Sequence, residues 1–461
     1  MKRKLLLYLL LCKAATSFAN VRLPAVIADN MVLQQQSSAK LWGWCEPEEK
    51  IYITTSWNNR LDSAKGTRDG RWVLTVPTPA AGGPYTINIA AQNKIDLKGV
   101  LIGEVWVCSG QSNMEMSEGW GLPDVRAELP TCANTNIRFF HIPKTTSVYP
   151  QDDCKASWVA CDSNELKGFS AVAYFFGKKL QQQLKVPIGL IEAAWGGTAA
   201  EVWTPVEWIN GDPVLKDAAA LLPPSDGWPH TPGYCYNAMI APITPFAIAG
   251  VLWYQGESNA GTASTYTKLL DTMILSWRKA WKEPLPFYYV QIAPFAYGGK
   301  TERADLLREQ QAAVMNLEHT GMVVISDVTI DTANIHPKNK HDVGYRLAAW
   351  ALGDHYQQKD IVYRSPAYRS MDIKGTKITI ELSDAPNGLL VRGKGVQQLF
   401  VAGDDQIFYP AEGKVDGSRL IVSSKQVQRP VAVRYQFSNT GIGNVFSKEG
   451  LPLAPFRTDR W

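Results

Sequence analysis

The chain reads as an α/β protein built on a mostly parallel sheet, with β-rich segments before and after it. Between about residues 102 and 352, short apolar runs alternate with segments of helical periodicity. That is the pattern of strands joined by right-handed crossovers, with helices on both faces of the sheet. On either side the texture changes to short alternating strands punctuated by turn residues, as small β-sandwiches show. A length of 461 residues favours two or three domains.

Taken in order, residues 1–19 are expected to be an export signal and not part of the fold. Lys2-Arg3-Lys4 is a basic start, residues 5–11 form an apolar core too short to span a bilayer, and Ser17-Phe18-Ala19 fits a cleavage site. Cys12 stands among leucines and before a lysine, a poor setting for a lipid anchor. Residues 20–100 are expected to form a β-sandwich-like domain, with strands over 40–44, 50–54, 71–76 and 85–89 and turns at Asp69-Gly70 and Gly82-Gly83-Pro84. Residues 101–355 form the α/β domain, with strands over 103–108, 188–193, 248–254, 287–292 and 322–326. Tyr266, Leu269, Leu270, Met273, Trp277 and Trp281 recur at helical spacing, as do Val343, Leu347 and Trp350. Residues 356–461 return to β, with strands over 377–382, 398–402, 420–422 and 431–435.

Charge and cysteine content narrow the function classes. Basic residues number 47 against 43 acidic, but Lys2, Arg3, Lys4 and Lys13 all lie in the expected signal, so the mature chain is near neutral. No electrostatic footprint for nucleic acid and no membrane span are expected. Six of the seven cysteines lie beyond the signal, at no spacing that reads as a zinc site. Cys154 and Cys161 are near enough in sequence for a loop-closing disulfide after export, while Cys108 reads as a buried thiol.

Four constellations sit at predicted strand ends in the α/β segment. Gly110-Gln111-Ser112-Asn113-Met114 follows the first strand and places a serine at the sheet's rim, where open α/β sheets bind ligands. Met114 breaks the G-x-S-x-G elbow of ordinary α/β-hydrolases. Trp195-Gly196-Gly197-Thr198 offers paired glycines whose backbone can turn an N–H toward a ligand. Gln255-Gly256-Glu257 adds an amide and a carboxylate, and His336, ahead of Pro337, presents an imidazole from a loop. Separately each also fits a plain turn or solvated loop. Together they supply a nucleophile, a base and oxyanion donors. His341 stands five residues beyond His336, which is not the spacing of a helical metal pair.

These motifs, with Asp29-Asn30-Met31-Val32-Leu33-Gln34 near the start and Gly450-Leu451-Pro452 and Pro455-Phe456-Arg457-Thr458-Asp459 near the end, resemble the sialate O-acetylesterase family, a branch of the SGNH hydrolases. The resemblance covers essentially the whole mature chain. It implies a flavodoxin-like three-layer SGNH-hydrolase core flanked by β-sandwich-like modules, and a serine esterase that removes O-acetyl groups from sugars without metal or organic cofactor. Carried over, Ser112 is the nucleophile and His336 the base, with the Ser112 and Gly197 N–H groups and the Gln255 side chain as oxyanion donors.

SGNH enzymes commonly place an aspartate three residues before the histidine, and here that residue is Ala333. Three substitutes are open: Glu257, Asp331, or a Ser-His dyad whose imidazole is held by a backbone carbonyl. Glu257 is preferred, because it stands at a strand end beside Gln255. Trp120, Trp195, Trp203, Trp228, Trp253 and Asn113 lie near the motifs and are candidate sugar contacts, although tryptophans serve equally as core. The sugar itself stays open. A sialoside would call for a cation at the rim, with Arg303 or Arg308 as candidates, while acetylated xylan, xyloglucan and pectin are the alternatives that present the same ester. A non-catalytic carbohydrate-binding protein on the same scaffold is the competing class.

Overall fold

The computed structural model describes residues 20–461, so the expected export signal and Cys12 lie outside the described residues. A seven-stranded path forms the centre, in the order Thr320–Val323, Phe287–Val290, Gly250–Tyr254, Lys94–Gly110, Ile188–Ala194, Asn134–His141, Trp158–Cys161. Every pairing along it is parallel except the last, where Trp158–Cys161 runs antiparallel and closes the edge. The five strands from Ile188–Ala194 to Thr320–Val323 stand in flavodoxin-like order, with the first strand in sequence second in space. Chain direction across the sheet reverses beside Lys94–Gly110, and ligands of such sheets bind in that crevice.

Burial explains why these segments are strands. Ile188–Ala194 and Gly250–Tyr254 are buried at every position, as parallel strands covered on both faces must be. The amphipathic helix Tyr266–Trp281 packs Leu270, Met273 and Trp277 on one face of the sheet. Ala171–Leu184 and Lys340–Trp350 cover the other, with Phe176 and Leu347 in its core. Gly344 lets these two helices meet, since a Cβ there would strike the Phe175 and Phe176 backbone and side chain.

The boundary expected at residue 100 falls inside a strand. Lys94–Gly110 runs for 17 residues without interruption. Its first half pairs with Gly82–Ala90 and Val32–Gln34 in the N-terminal sheet, and its second half is the central strand of the core. A second ribbon, Ser38–Trp44 with Arg71–Pro77, completes the N-terminal module. Polar contacts fasten the module further. Gln34 and Gln35 donate to buried Glu104 at 3.0 and 2.6 Å, Trp158 Nε1 donates to the Val26 carbonyl at 2.9 Å, and Arg71 makes a forked pair with Asp152. The C-terminal region forms antiparallel sheets around Ile378, Ile380, Val401, Leu420 and Val433. It is tied to the core by the forked Arg457–Glu309 pair and by Arg308, which donates to the Gln436 and Ser438 carbonyls.

Some expectations shift. The strand expected over 322–326 is Thr320–Val323, and the edge strands Asn134–His141 and Trp158–Cys161 carry too little apolar periodicity to stand out in the sequence. The Cys154–Cys161 disulfide is not formed. All six described cysteines are free, and Cys161 instead donates to the Cys132 carbonyl at 3.2 Å, across the hairpin-like contact that sequence spacing did not reveal. Among the described residues, no helix is long and apolar enough to cross a membrane.

Because one strand serves both modules, removing residues 20–101 would strip the central strand of its first partners and expose the Ile102 and Glu104 neighbourhood. Limited proteolysis is expected to yield no stable, active fragment spanning 102–461. Isolation of such a fragment would show the N-terminal module to be independent.

Candidate active site

The site begins where the central strand ends. Gly110 has φ 142°, and a Cβ there would collide with the Tyr254 carbonyl of the adjacent strand, so only glycine allows the two strand ends to close. Gln111 then leaves the sheet, its N–H donating to Tyr254 O at 3.0 Å, and Ser112–Glu115 forms a single helical turn. The Ser112 N–H heads that turn and therefore has no helical partner. The Gln111 side-chain oxygen accepts from the Gly256 and Ser258 N–H groups at 3.3 and 3.4 Å, stitching the serine turn to the loop after Gly250–Tyr254.

His336 reaches Ser112 from the loop between Thr320–Val323 and Lys340–Trp350, with Nε2 2.9 Å from Ser112 Oγ. The loop is braced locally. Asn334 Oδ1 accepts from the His336 N–H at 2.9 Å, Asp331 Oδ1 accepts from the Ala333 N–H at 2.8 Å, and Trp120 meets the imidazole edge-on at 5.4 Å. Burial, and then the nearby Lys340 cation, push the His336 pKa below its ordinary value. Both causes oppose the imidazolium and keep the ring a free base.

Gly196 and Gly197 stand beside the serine. Gly197 takes φ 80°, and a Cβ on it would enter the Trp228 ring. Three contacts hold this turn: Glu115 Oε2 accepts from the Gly196 N–H at 2.6 Å, Ser258 Oγ donates to the Gly197 carbonyl at 2.9 Å, and Thr198 Oγ1 donates to the Trp195 carbonyl at 2.7 Å. Lys144 pairs with the other Glu115 oxygen at 2.5 Å. Neither Ser112 N–H nor Gly197 N–H is taken by a backbone acceptor among the described residues.

Several expected roles do not fit this geometry. Gln255 is fully buried, its amide hydrogens spent on Thr198 O at 3.2 Å and Asn259 Oδ1 at 2.8 Å and its oxygen on Tyr266 Oη at 2.8 Å, so it has no donor left for an oxyanion. Glu257 does not touch His336. Its Oε1 accepts from Asn113 Nδ2 at 2.6 Å, its Oε2 is buried without a partner, and burial raises its pKa. Asp331 is exposed and turned to its own loop, and among the described residues nothing is hydrogen-bonded to His336 Nδ1, so the backbone-carbonyl partner is not seen either. Asn113 is buried and committed as well: Nδ2 also donates to the Ile335 carbonyl at 3.1 Å, and Oδ1 accepts from Lys340 Nζ at 2.6 Å.

The tryptophans divide cleanly. Trp203 and Trp253 are fully buried, Trp253 packing edge-to-face with both Trp203 and Trp277, so neither can meet a sugar. Trp195 is partly buried behind the glycine turn. Trp120 and Trp228 are each 43% exposed and flank His336 and Gly197. Of the two arginines considered for a carboxylate, Arg303 forks onto Asp305 and Arg308 is buried on backbone carbonyls. His341 Nδ1 lies 2.9 Å from Asp342 Oδ1. Sequence reasoning missed Glu115 and Lys340. A lysine at the first position of Lys340–Trp350, where the helix dipole repels a cation, was the available signal for the second.

A serine and a histidine in contact at the switch point of a flavodoxin-like sheet, beside a positive-φ glycine turn, is the arrangement of an SGNH-type hydrolase. Residues 102–352 match the family described as "Carbohydrate esterase, sialic acid-specific acetylesterase". The chain is 27% identical to the sialate O-acetylesterases of Homo sapiens and Pongo abelii over 419 residues, 82% of this chain and 79% of theirs. It is also similar to a crystal structure of a carbohydrate acetylesterase from Xanthomonas citri, with 36% identity, a TM-score of 0.87, and coverage of 96% of this chain and 100% of that one. The chain belongs to this family of carbohydrate esterases.

If His336 is the base, it must be neutral to act. Its lowered pKa keeps it neutral as pH falls through the ordinary imidazole value of about 6.5. The acid limb of kcat/KM is expected to turn down below that pH, measurable with an aryl acetate across pH 4–8. A turn-down well above it would mean that another group limits the rate.

Proposed function

We propose that this carbohydrate esterase removes acetyl groups from sugar hydroxyls by two-step acyl transfer, with Ser112 as nucleophile and His336 as base. The observation that carries the proposal is the 2.9 Å contact between Ser112 Oγ and His336 Nε2 beside the Gly197 turn. His336 takes the Ser112 proton as Oγ attacks the acetyl carbonyl carbon. The carbonyl oxygen, now anionic, is held by the Ser112 and Gly197 N–H groups. His336 then protonates the departing sugar oxygen, and water, activated by the same imidazole, frees acetate from the acetyl-serine. With Gln255 occupied, two backbone donors carry the oxyanion, and with no carboxylate on Nδ1 the imidazole is oriented by its loop. The basic run Lys2-Arg3-Lys4 and apolar residues 5–11 support export of the enzyme.

For the sugar, acetylated neutral glycans are favoured over acetylated sialosides. Arg303 is forked onto Asp305 and Arg308 is buried, so neither supports recognition of a sialic acid carboxylate. Exposed Trp120 and Trp228 suit the apolar face of a sugar ring instead. Acetate release from acetylated xylan and xyloglucan is expected to exceed release from O-acetylated sialosides. The reverse ranking would place the enzyme with sialate substrates.

Ser112→Ala should abolish turnover of an aryl acetate while shifting the thermal unfolding midpoint little, since one hydroxyl hydrogen bond contributes roughly 1 kcal/mol. Near-normal turnover in that variant would remove Ser112 as the nucleophile and with it the serine-esterase mechanism. Trp228→Ala should raise KM for an acetylated oligosaccharide several-fold and leave an aryl acetate within about twofold, as loss of a stacking surface predicts. Equal effects on both substrates would assign Trp228 to the scaffold.

A further inference from the structure

Lys340 is fully buried, and nothing in the acyl-transfer scheme uses it. A cation there is costly twice over, because it is desolvated and because it heads a helix, where the dipole is positive. Its surroundings are specific. From Ser112–Glu115, Asn113 Oδ1 accepts from Nζ at 2.6 Å; from the loop after Gly250–Tyr254, Glu257 attracts it; from Pro123–Glu128, Asp124 attracts it and accepts from the Lys340 and His341 N–H groups at 2.8 and 2.9 Å; and the Tyr254 ring lies 5.2 Å from the ammonium. The remaining titratable neighbour is His336 itself.

The Asn113 amide is thereby set without ambiguity. A lysine ammonium can only donate, as a backbone carbonyl can only accept, so the amide oxygen must face Lys340. The NH₂ group then faces Glu257 Oε1 and the Ile335 carbonyl, the latter an acceptor in any state. Ile335 is the residue before His336, so the chain Lys340–Asn113–Ile335 runs from a buried cation to the peptide that carries the base. We propose that Lys340 is a positioning residue of the esterase site: its ammonium locks the Asn113 amide, and through it the His336 backbone, in place of the carboxylate that orients histidine in related hydrolases. The inference rests on the serine-esterase reading of the site and extends it to a residue outside the acyl-transfer scheme.

The same charge acts on the base. Desolvation draws the Lys340 pKa down to about 7, with Glu257 and Asp124 opposing, so Lys340 is charged over the acid limb where His336 titrates. A neighbouring cation disfavours imidazolium, and removing it must raise the His336 pKa. Loss of Lys340 therefore has a sign in the pH profile that a loss of packing lacks.

The test compares Lys340→Met and Lys340→Gln with the parent enzyme and with Ser112→Ala on an aryl acetate, recording kcat, KM, the pH profile and the unfolding midpoint. Lys340→Met should lower kcat by at least about tenfold with KM within about twofold, and shift the acid limb to higher pH. Its unfolding midpoint should hold or rise, since apolar replacement of a buried ion is often neutral or stabilising. Lys340→Gln retains a donor without the charge, so it should recover part of kcat while the acid limb still moves. Parent-like kcat and acid limb in either folded variant would overturn the proposal. So would a kcat loss with an unmoved acid limb and a lowered midpoint, which is the signature of a structural role. An active Ser112→Ala would instead strike the esterase mechanism, whatever Lys340 does.

Discussion

The strand Lys94–Gly110 is the constraint on which the rest of the molecule depends. It pairs with the N-terminal sheet over its first half and lies at the switch point of the core sheet over its second. Its last residue sits so close to the Tyr254 carbonyl that only glycine fits. That closeness brings the serine turn and the loop after Gly250–Tyr254 into one rim, where Gln111 can accept from Gly256 and Ser258. A swing of either strand end would separate Ser112 from the loop that braces the Gly197 turn through Ser258. The N-terminal module thus fixes the strand that carries Ser112, the proposed nucleophile.

Around that strand, the site trades direct charge pairing for backbone positioning. A carboxylate on the imidazole would stabilise the imidazolium and select its tautomer. Here the nearest buried carboxylate, Glu257, spends its one satisfied oxygen on Asn113, and Asn113 holds the peptide next to His336. The glycine turn is braced in the same manner, through Glu115, Ser258 and Thr198. Buried polar groups in such a setting are effective only when satisfied, since a lone one incurs its full desolvation penalty. Glu257 Oε2 is one exception, buried without a partner, and burial raises the Glu257 pKa.

Much of the architecture was legible in the residues. The buried strands Ile188–Ala194 and Gly250–Tyr254 announce themselves as unbroken apolar runs, and Tyr266–Trp281 as a helix by its spacing. Edge strands were not legible, because Asn134–His141 is polar over its first half and owes its place to its neighbour's hydrogen bonds. Nor was the fusion of two modules along one strand, since alternation of residues does not say where a strand changes partners. Among the aromatic residues, Trp253 and Trp228 look alike in sequence. One is in the core and the other lies over Gly197, a distinction made only by packing.

What the sequence by itself determined is the set of chemical groups and their segments: serine, paired glycines, and amide with carboxylate just past strands, and histidine in the loop that follows the last strand of the core sheet. Residue type and local pattern suffice for that, because strand ends and turns are local features. Which groups meet was decided by tertiary structure alone. Ser112 and His336 are 224 positions apart and touch, whereas Glu257 and Gln255, equally near the rim, turn inward to Asn113 and Asn259. Lys340 acquires its place beside Asn113 from across 227 positions, by the docking of a helix against the serine turn. Side-chain direction at a rim follows from competition among hydrogen-bond partners brought in from distant segments, and that competition exists only in the folded chain.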